Sequence, residues 1–294
     1  MTEKILYTTD EARRLLESGD AVAIDIRDTE KFDAGHIPGA VNTPDIFYYL
    51  AETTRDGLDA LHENFAEIFG KAGLDGAKTA ILYEDALNTQ YGGSCRGYWL
   101  LKYLGYPSAG ILDGGLAAWK ASGGELSTES SSPEPVNFPL APNSELLVTR
   151  DEMLKALDDD QVVILDNRDQ DEWLAESSSP YGKDFVPRKG RMPGAIWLEW
   201  YALMDDSEVP AFKTPAEITQ LANERGIQAD DDIIIYCFKG ARASNTFVAL
   251  RLAGFRNLRI YLGSWNEWSK DPSLPIETGP PRAAASPKQA ATVN

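Results

Sequence analysis

Leu6-Tyr-Thr-Thr-Asp-Glu-Ala-Arg-Arg-Leu-Leu-Glu-Ser-Gly-Asp-Ala-Val-Ala-Ile-Asp-Ile-Arg-Asp28 lies over Leu147-Val-Thr-Arg-Asp-Glu-Met-Leu-Lys-Ala-Leu-Asp-Asp-Asp-Gln-Val-Val-Ile-Leu-Asp-Asn-Arg-Asp169 without a gap, at an offset of 141 residues. Thr8/Thr149, Asp10/Asp151, Glu11/Glu152, Asp25/Asp166, Arg27/Arg168 and Asp28/Asp169 are identical. The correspondence resumes at His36-Ile-Pro-Gly-Ala-Val41 against Arg191-Met-Pro-Gly-Ala-Ile196 and continues at Ala80-Ile-Leu-Tyr83 against Ile233-Ile-Ile-Tyr236. It closes at Gly114-Gly-Leu-Ala-Ala-Trp119 against Gly263-Ser-Trp-Asn-Glu-Trp268. Four matches in one order mark a duplication, and a repeat of this kind decides the fold before any single element does. A chain of 294 residues, at ~150 per domain, agrees with two copies.

Each copy has the same grammar. A Thr or Asp cap with Glu in the first turn predicts a short amphipathic helix, about Asp10–Glu17 and Asp151–Leu157. A β-branched strand follows (Val22–Ile26, Val162–Leu165) and ends at Asp-x-Arg. A Pro-Gly loop and another helix lead to a second apolar strand, Thr79–Tyr83 or Asp232–Tyr236. Then come a loop, a helix reading Trp99-Leu-Leu-x-x-Leu or Phe247-Val-Ala-Leu-x-Leu, and a further short strand. Strands alternating with helices predict an α/β fold with a mainly parallel sheet in each copy. Sites in such folds lie outside the carboxyl ends of strands, so function is expected in the loops after Tyr83 and Tyr236.

The boundaries read as a first copy at 1–124, a linker at 125–145, a second copy at 146–278 and a disordered tail at 279–294. Pro133, Pro135, Pro139 and Pro142 mark the linker, with Phe138 and Leu140 expected to pin it to a domain surface.

Composition narrows the chemistry. With 43% hydrophobic and 25% charged residues, the chain is neither disordered nor collagen-like. No apolar run approaches the ~20 residues of a membrane span, and the first residues lack a basic segment followed by an apolar one, so a cytoplasmic protein is expected. A net charge of -18 argues against nucleic acid and anionic lipid as partners. Two cysteines and two histidines cannot supply a disulfide framework or an ordinary zinc site.

Cys237 directly follows Ile233-Ile-Ile-Tyr236 and precedes Phe238-Lys-Gly-Ala-Arg-Ala-Ser244, with a helix expected to begin near Ala243 or Asn245. A thiol at a strand's carboxyl end, beside Lys239 and Arg242 and under a helix N-terminus, is an environment that favours thiolate. Small residues let successive amides curl into an anion nest. The bland alternative, a small buried hydrophobe, conflicts with the adjacent cations, which resist burial. Phosphotyrosine-type phosphatases separate their Cys and Arg by five residues; here four intervene, one short for a phosphoryl group but fitting a single sulfur on Cys237. Papain-like chemistry lacks its base, because His36 and His62 both lie in the other copy.

These motifs resemble the tandem-rhodanese-domain sulfurtransferases over nearly the whole chain. The resemblance rests on Asp25-x-Arg27 and Asp166-x-Arg168, Gly35-His-Ile-Pro-Gly-Ala40 with its copy Met192-Pro-Gly-Ala195, Tyr236-Cys-x-Lys-Gly-x-Arg242, and Gly263-Ser-Trp-x-Glu-Trp268. It implies two rhodanese folds, the first inactive and the second catalytic. An offset of 153 puts Glu84 where Cys237 lies, and the first loop reads as four residues longer. By the same resemblance, Cys237 takes the sulfane sulfur of a small anionic donor as a persulfide and passes it to cyanide or a thiol, with no metal or organic cofactor required. Amides of Phe238, Lys239, Gly240, Ala241, Arg242, Ala243 and Ser244 would hold its charge, with Lys239 and Arg242 attracting the donor.

Cations after the cysteine resemble the thiosulfate type; the mercaptopyruvate type typically has small uncharged residues there. Phe238 stands where Arg is frequent, and Glu172 lies near where some members place a substrate-binding Arg. The insertion ending Arg188-Lys-Gly-Arg191 could replace that charge, or form a solvated basic turn. Asp166 and Arg168 either orient the loop or tie strand to loop. Cys95 reads as a packing residue, with a resolving thiol as its functional alternative. Trp265 and Trp268 read as packing, or as lining of the cleft, and His36 as structural. A persulfide carrier serving one protein partner is the reading from another class, and the tandem architecture weighs against it.

Overall fold

The computed structural model describes residues 4–279; the tail expected at 279–294 therefore lies, from 280 on, outside the described residues. The duplication is a duplication of sheets. In the first, β1 (Leu6–Tyr7), β2 (Ala21–Asp25), β3 (Val41–Asn42), β4 (Thr79–Tyr83) and β5 (Ala109–Leu112) are ordered β1-β5-β4-β2-β3. In the second, β6 (Leu147–Val148), β7 (Val162–Asp166), β8 (Ile196–Trp197), β9 (Asp232–Tyr236) and β10 (Leu258–Tyr261) are ordered β6-β10-β9-β7-β8. All pairings are parallel. Among the described residues, no helix is long and apolar enough to cross a membrane.

Alternation along the central strands explains the layering. Ile24 and Leu82 face a core shared by both copies, whereas Ala23 and Ile81 face the outer helices of the first copy. The shared core runs on through Leu165, Ile235 and Ile260 of the second sheet. Two-sided burial is what makes these strands read as continuous apolar runs.

Helix starts follow the caps read from sequence. Thr8 with Glu11 and Thr149 with Glu152 form complete capping boxes, opening helices Thr9–Ser18 and Arg150–Ala156.

The two copies meet along helices Gly93–Tyr103 and Ala241–Leu252, each following the central strand of its sheet. They approach closely at Gly92, where a Cβ would stand 2.7 Å from Asn245 Cβ. Gly92 also has φ 77°, so two constraints require glycine there. A second tie crosses between copies: buried Glu267 accepts from Thr53 N and Thr53 Oγ1, both at 2.7 Å, and Thr53 Oγ1 accepts from Arg150 N.

The linker packs on the first copy rather than hanging free. Val136 N donates to Gly70 O and Ala141 N to Leu104 O, and Phe138 packs its ring against Phe69 and Tyr106. Leu140 is exposed, so of the two expected anchors only Phe138 is one.

Candidate active site

The carboxyl end of β9 carries Cys237, and helix Ala241–Leu252 begins only four residues later. The helix starts at Ala241, earlier than the expected Ala243 or Asn245, which puts Arg242 in its first turn. Gly240 is the cap, with φ 97°, and a Cβ there would stand 2.6 Å from Leu262 Cδ1. Only glycine fits, and this turn aims the Gly240 amide at Cys237 Sγ, 3.1 Å away. The thiol is therefore buried and hydrogen-bonded at the start of a helix, where N–H groups and the dipole favour negative charge. Ser244 is not among them: its amide donates to Gly240 O at 2.9 Å and its hydroxyl to the same oxygen at 2.8 Å. Ser244 therefore drops out of the expected cradle, and among the described residues the Gly240 amide is the one that bonds Cys237 Sγ.

The loop is fixed from behind by the Gly263–Trp268 motif. Cys237 N donates to Ser264 Oγ, Trp265 N to Cys237 O, and Asn266 N to Phe238 O. Ser264 holds φ 52°, a left-handed conformation rare for a residue with a side chain, and sits at this contact. The first copy repeats the contact: Leu116 N donates to Glu84 O and Ala117 N to Asp85 O. Glu84 thus occupies the place of Cys237 in three dimensions as well as in sequence. Nine residues, not four, separate β4 from its helix, so the first loop is longer by five rather than the expected four.

Glu84 fills its own cradle. The carboxyl is fully buried and accepts from Ser94 N at 3.0 Å, Ser94 Oγ at 2.7 Å and Thr89 Oγ1 at 3.0 Å. Burial pushes its pKa up to about 8 despite these donors.

The cations around Cys237 differ from what sequence spacing implies. Arg242 donates to Glu172 through both terminal nitrogens, at 2.6 and 3.1 Å, and lies 2.9 Å from Asp169 Oδ1. The expectation that Arg242 offers free positive charge to a donor is thereby corrected. The same guanidinium is the counter-ion of Asp169 and Glu172, which lie together with Asp171. Lys239 is buried, its Nζ 3.8 Å from the Phe47 ring centroid and 5.1 Å from that of Tyr181. Burial first, and then the nearby Arg96, pulls its pKa down to about 7.

Arg188 and Arg191 are both anchored to the backbone around their insertion. Arg188 donates to the carbonyls of Trp268, Ser269, Asp271 and Leu274. Arg191 donates to Trp173 O and Gly279 O and stacks over Trp173, with its backbone paired to Glu277. His36 holds the matching place in the first copy, paired to Ser127 and stacked on Phe32.

Asp166 and Arg168 tie strand to loop. Arg168 donates to both Asp166 oxygens and to Gly190 O, while Tyr236, the residue before Cys237, donates its hydroxyl to Asp166 at 2.5 Å. Arg27 makes the matching contacts with Asp25 and Gly35 O. Trp265 and Trp268 are fully buried, their indole N–H groups on the Arg188 and Pro275 carbonyls, which is packing. Cys95 is likewise buried in the core, its thiol pKa pushed up by burial and by Glu84.

Several site residues escaped the sequence. Asn167 donates to Arg242 O at 2.7 Å and Thr246 Oγ1 at 2.6 Å, locking the helix start to β7. Its counterpart in the first copy is the apolar Ile26. From the first copy come Phe47, Tyr48 and Tyr91, whose rings face Lys239 or Arg242, and Arg96, whose charge lowers the pKa of Lys239 more than any other charge does. The run Phe47-Tyr48-Tyr49 was the available signal, but nothing local says that it faces the other copy.

The family model described as Rhodanese-like domain matches residues 8–122 and 149–271. Among curated relatives, the thiosulfate sulfurtransferase of Corynebacterium glutamicum is 32% identical, covering 94% of this chain and 91% of its own. That of Azotobacter vinelandii is 29% identical, covering 89% and 93%. Among solved structures, wild-type EanB superposes with a TM-score of 0.79 at 24% identity, covering 94% of this chain and 69% of EanB. An EanB variant carrying a cysteine persulfide in a tetrahedral intermediate state with ergothioneine gives 0.80 at 23% identity, covering 94% and 71%. These similarities in structure reach the fold.

Proposed function

The chain belongs to the rhodanese-like family, as a tandem-domain sulfurtransferase, and from that premise we propose that Cys237 is its sulfur carrier and thiosulfate its donor. The observation that carries this reading is the Gly240 amide 3.1 Å from Cys237 Sγ at the start of a helix. Negative charge on that sulfur, as thiolate or persulfide, meets a backbone donor and the positive end of the helix dipole.

The chemistry balances in two half-reactions. The Cys237 thiolate attacks the outer sulfur of thiosulfate; an S–S bond forms on the enzyme, the S–S bond of thiosulfate breaks, and its electron pair leaves with sulfite. Cyanide or a thiolate then takes the terminal sulfur, and the electron pair of that S–S bond restores the thiolate. No residue needs to change oxidation state beyond this sulfur exchange. Relatives named thiosulfate sulfurtransferase support the donor. The neutralised Arg242 favours a competing donor, the monoanion 3-mercaptopyruvate.

Steady-state transfer to cyanide from thiosulfate and from 3-mercaptopyruvate, in wild type and Cys237→Ser, tests the proposal. Saturable thiosulfate turnover that disappears in Cys237→Ser is expected. Turnover retained in that variant overturns the site, and a strong preference for 3-mercaptopyruvate overturns the donor.

A further inference from the structure

The Cys237 sulfur acts to raise the pKa of three cations: Arg242, Lys239 and Arg96. The first two are compromised as donor-attracting charges. Arg242 is paired with two carboxylates. Lys239 loses its proton near neutrality. Arg96 differs from both. It extends from helix Gly93–Tyr103 of the first copy, is fully buried, and donates to Phe47 O at 3.0 Å and Tyr49 O at 2.7 Å. Those carbonyls fix the guanidinium in place but carry no charge to cancel it. No carboxylate among the described residues is paired with it, and its Nε, also buried, has no hydrogen-bond partner there. Burial draws its pKa down to about 10 while the Cys237 sulfur pulls the other way, so it stays cationic at neutral pH.

A buried charge without a counter-ion is destabilising unless something at the site compensates it. Phe47 ties it to the site: its carbonyl binds Arg96 while its ring lies under the Lys239 ammonium, on the loop that follows Cys237. Arg96 and the Cys237 loop therefore meet on one residue of the first copy.

We propose that Arg96, carried by the catalytically silent copy, is the charge that admits a dianionic sulfur donor to Cys237 in the other copy. It acts through its field as an anion-positioning residue. The inference rests on the proposed reading of Cys237. It also gives the silent copy a role: the first domain holds the positive charge that the second domain's own arginine, clamped by Glu172, does not offer.

The test is a comparison of donor charge. Thiosulfate carries two negative charges and methanethiosulfonate one; the Cys237 thiolate takes the outer sulfur of either, with sulfite or methanesulfinate leaving, and this loading is measured in wild type, Arg96→Gln and Arg96→Lys. In Arg96→Gln, kcat/KM for thiosulfate is expected to fall relative to methanethiosulfonate by roughly threefold or more. Arg96→Lys, which keeps the charge, is expected to retain the wild-type ratio, and it keeps the test open if Arg96→Gln fails to fold. An equal loss on both donors, or a Lys variant that loses the ratio, makes Arg96 merely structural and overturns the proposal.

A second readout does not need turnover: protection of Cys237 from iodoacetamide by sulfite should weaken in Arg96→Gln and persist in Arg96→Lys. Sulfite protection that is the same in Arg96→Gln and wild type overturns the role of Arg96. A wild type that loads no sulfur from either donor fails the parent reading instead.

Discussion

Glu172 clamps Arg242 through both carboxylate oxygens, with the two side chains buried in the second copy. One carboxylate thereby turns the arginine of the Cys-x-Lys-Gly-x-Arg motif from a potential substrate ligand into part of the scaffold. Arg242 remains important to the site through its backbone: its amide stands in the first helical turn and its carbonyl accepts from Asn167.

Glu172→Gln removes half of that clamp and leaves Asp169 as the only charged partner of Arg242. Local positive charge rises, so the KM for thiosulfate in the donor half-reaction is expected to fall. Breaking a buried pair also destabilises, by roughly 1–4 kcal/mol with one carboxylate still present. Sulfite release at varied thiosulfate and urea unfolding read the two effects separately; reduced stability with an unchanged or higher KM would show that the charge of Arg242 has no reach to the donor.

Gly240→Ala tests the cradle. The cap's φ of 97° and the Leu262 Cδ1 atom 2.6 Å from a new Cβ both oppose a side chain. A loss of about 1–3 kcal/mol in stability is expected from the strained backbone. Displacing the amide that meets Cys237 Sγ is expected to slow persulfide formation by about 100-fold, the scale of one oxyanion donor. Single-turnover sulfite release on folded protein provides the check, and an undiminished rate would remove the Gly240 amide from the mechanism.

Lys239 gives the donor half-reaction a pH dependence. Its folded pKa of about 7 lies below the ordinary lysine value of 10.5, so the ammonium is present below about pH 7 and lost above it. Thiosulfate loading should fall as pH rises through 7 in wild type, and Lys239→Arg should hold the rate level across that range. For stability the sign is opposite. The unfolded chain binds the extra proton between pH 7 and 10.5, so the burial penalty is full below pH 7 and is relieved as pH rises through that window. Lys239→Met is therefore expected to stabilise the fold most at pH 6 and least near pH 10, as measured by chemical unfolding at each pH. A constant difference across that range would contradict the depressed pKa.

The legible parts of this fold are those encoded by local contacts. Thr8 and Glu11 announce their helix because the capping box closes within four residues. Asp232–Tyr236 reads as a strand because both faces are buried. The two-residue strands β3 and β8 were not legible: Val41–Asn42 and Ile196–Trp197 are too short for periodicity and exist only through pairing with β2 and β7. The thiol was legible from its place after a strand. Its electrostatics were not, because the decisive partners are distant in the chain: Glu172 lies 70 residues from Arg242, and Arg96 belongs to the other copy.

Glu84 makes the first copy's cradle measurable. Its folded pKa of about 8 stands above the ordinary 4.5, so the folded chain holds the proton between those values and the unfolded chain does not. The stabilisation linked to that proton is fully present below about pH 4.5 and is lost as pH rises through 8. Glu84→Gln removes the titration. Its carboxamide can accept from Ser94 and donate to Thr89 Oγ1, whose own hydrogen has an alternative acceptor in Ala86 O at 2.7 Å. The variant should therefore gain stability over wild type as pH rises from 5 to 8.5, with no such gain near pH 4, while sulfur loading at Cys237 stays unchanged. Urea unfolding of both proteins across that range decides it: parallel stability curves would mean that Glu84 is ionised throughout and that the first cradle holds a carboxylate as the second is proposed to hold a persulfide.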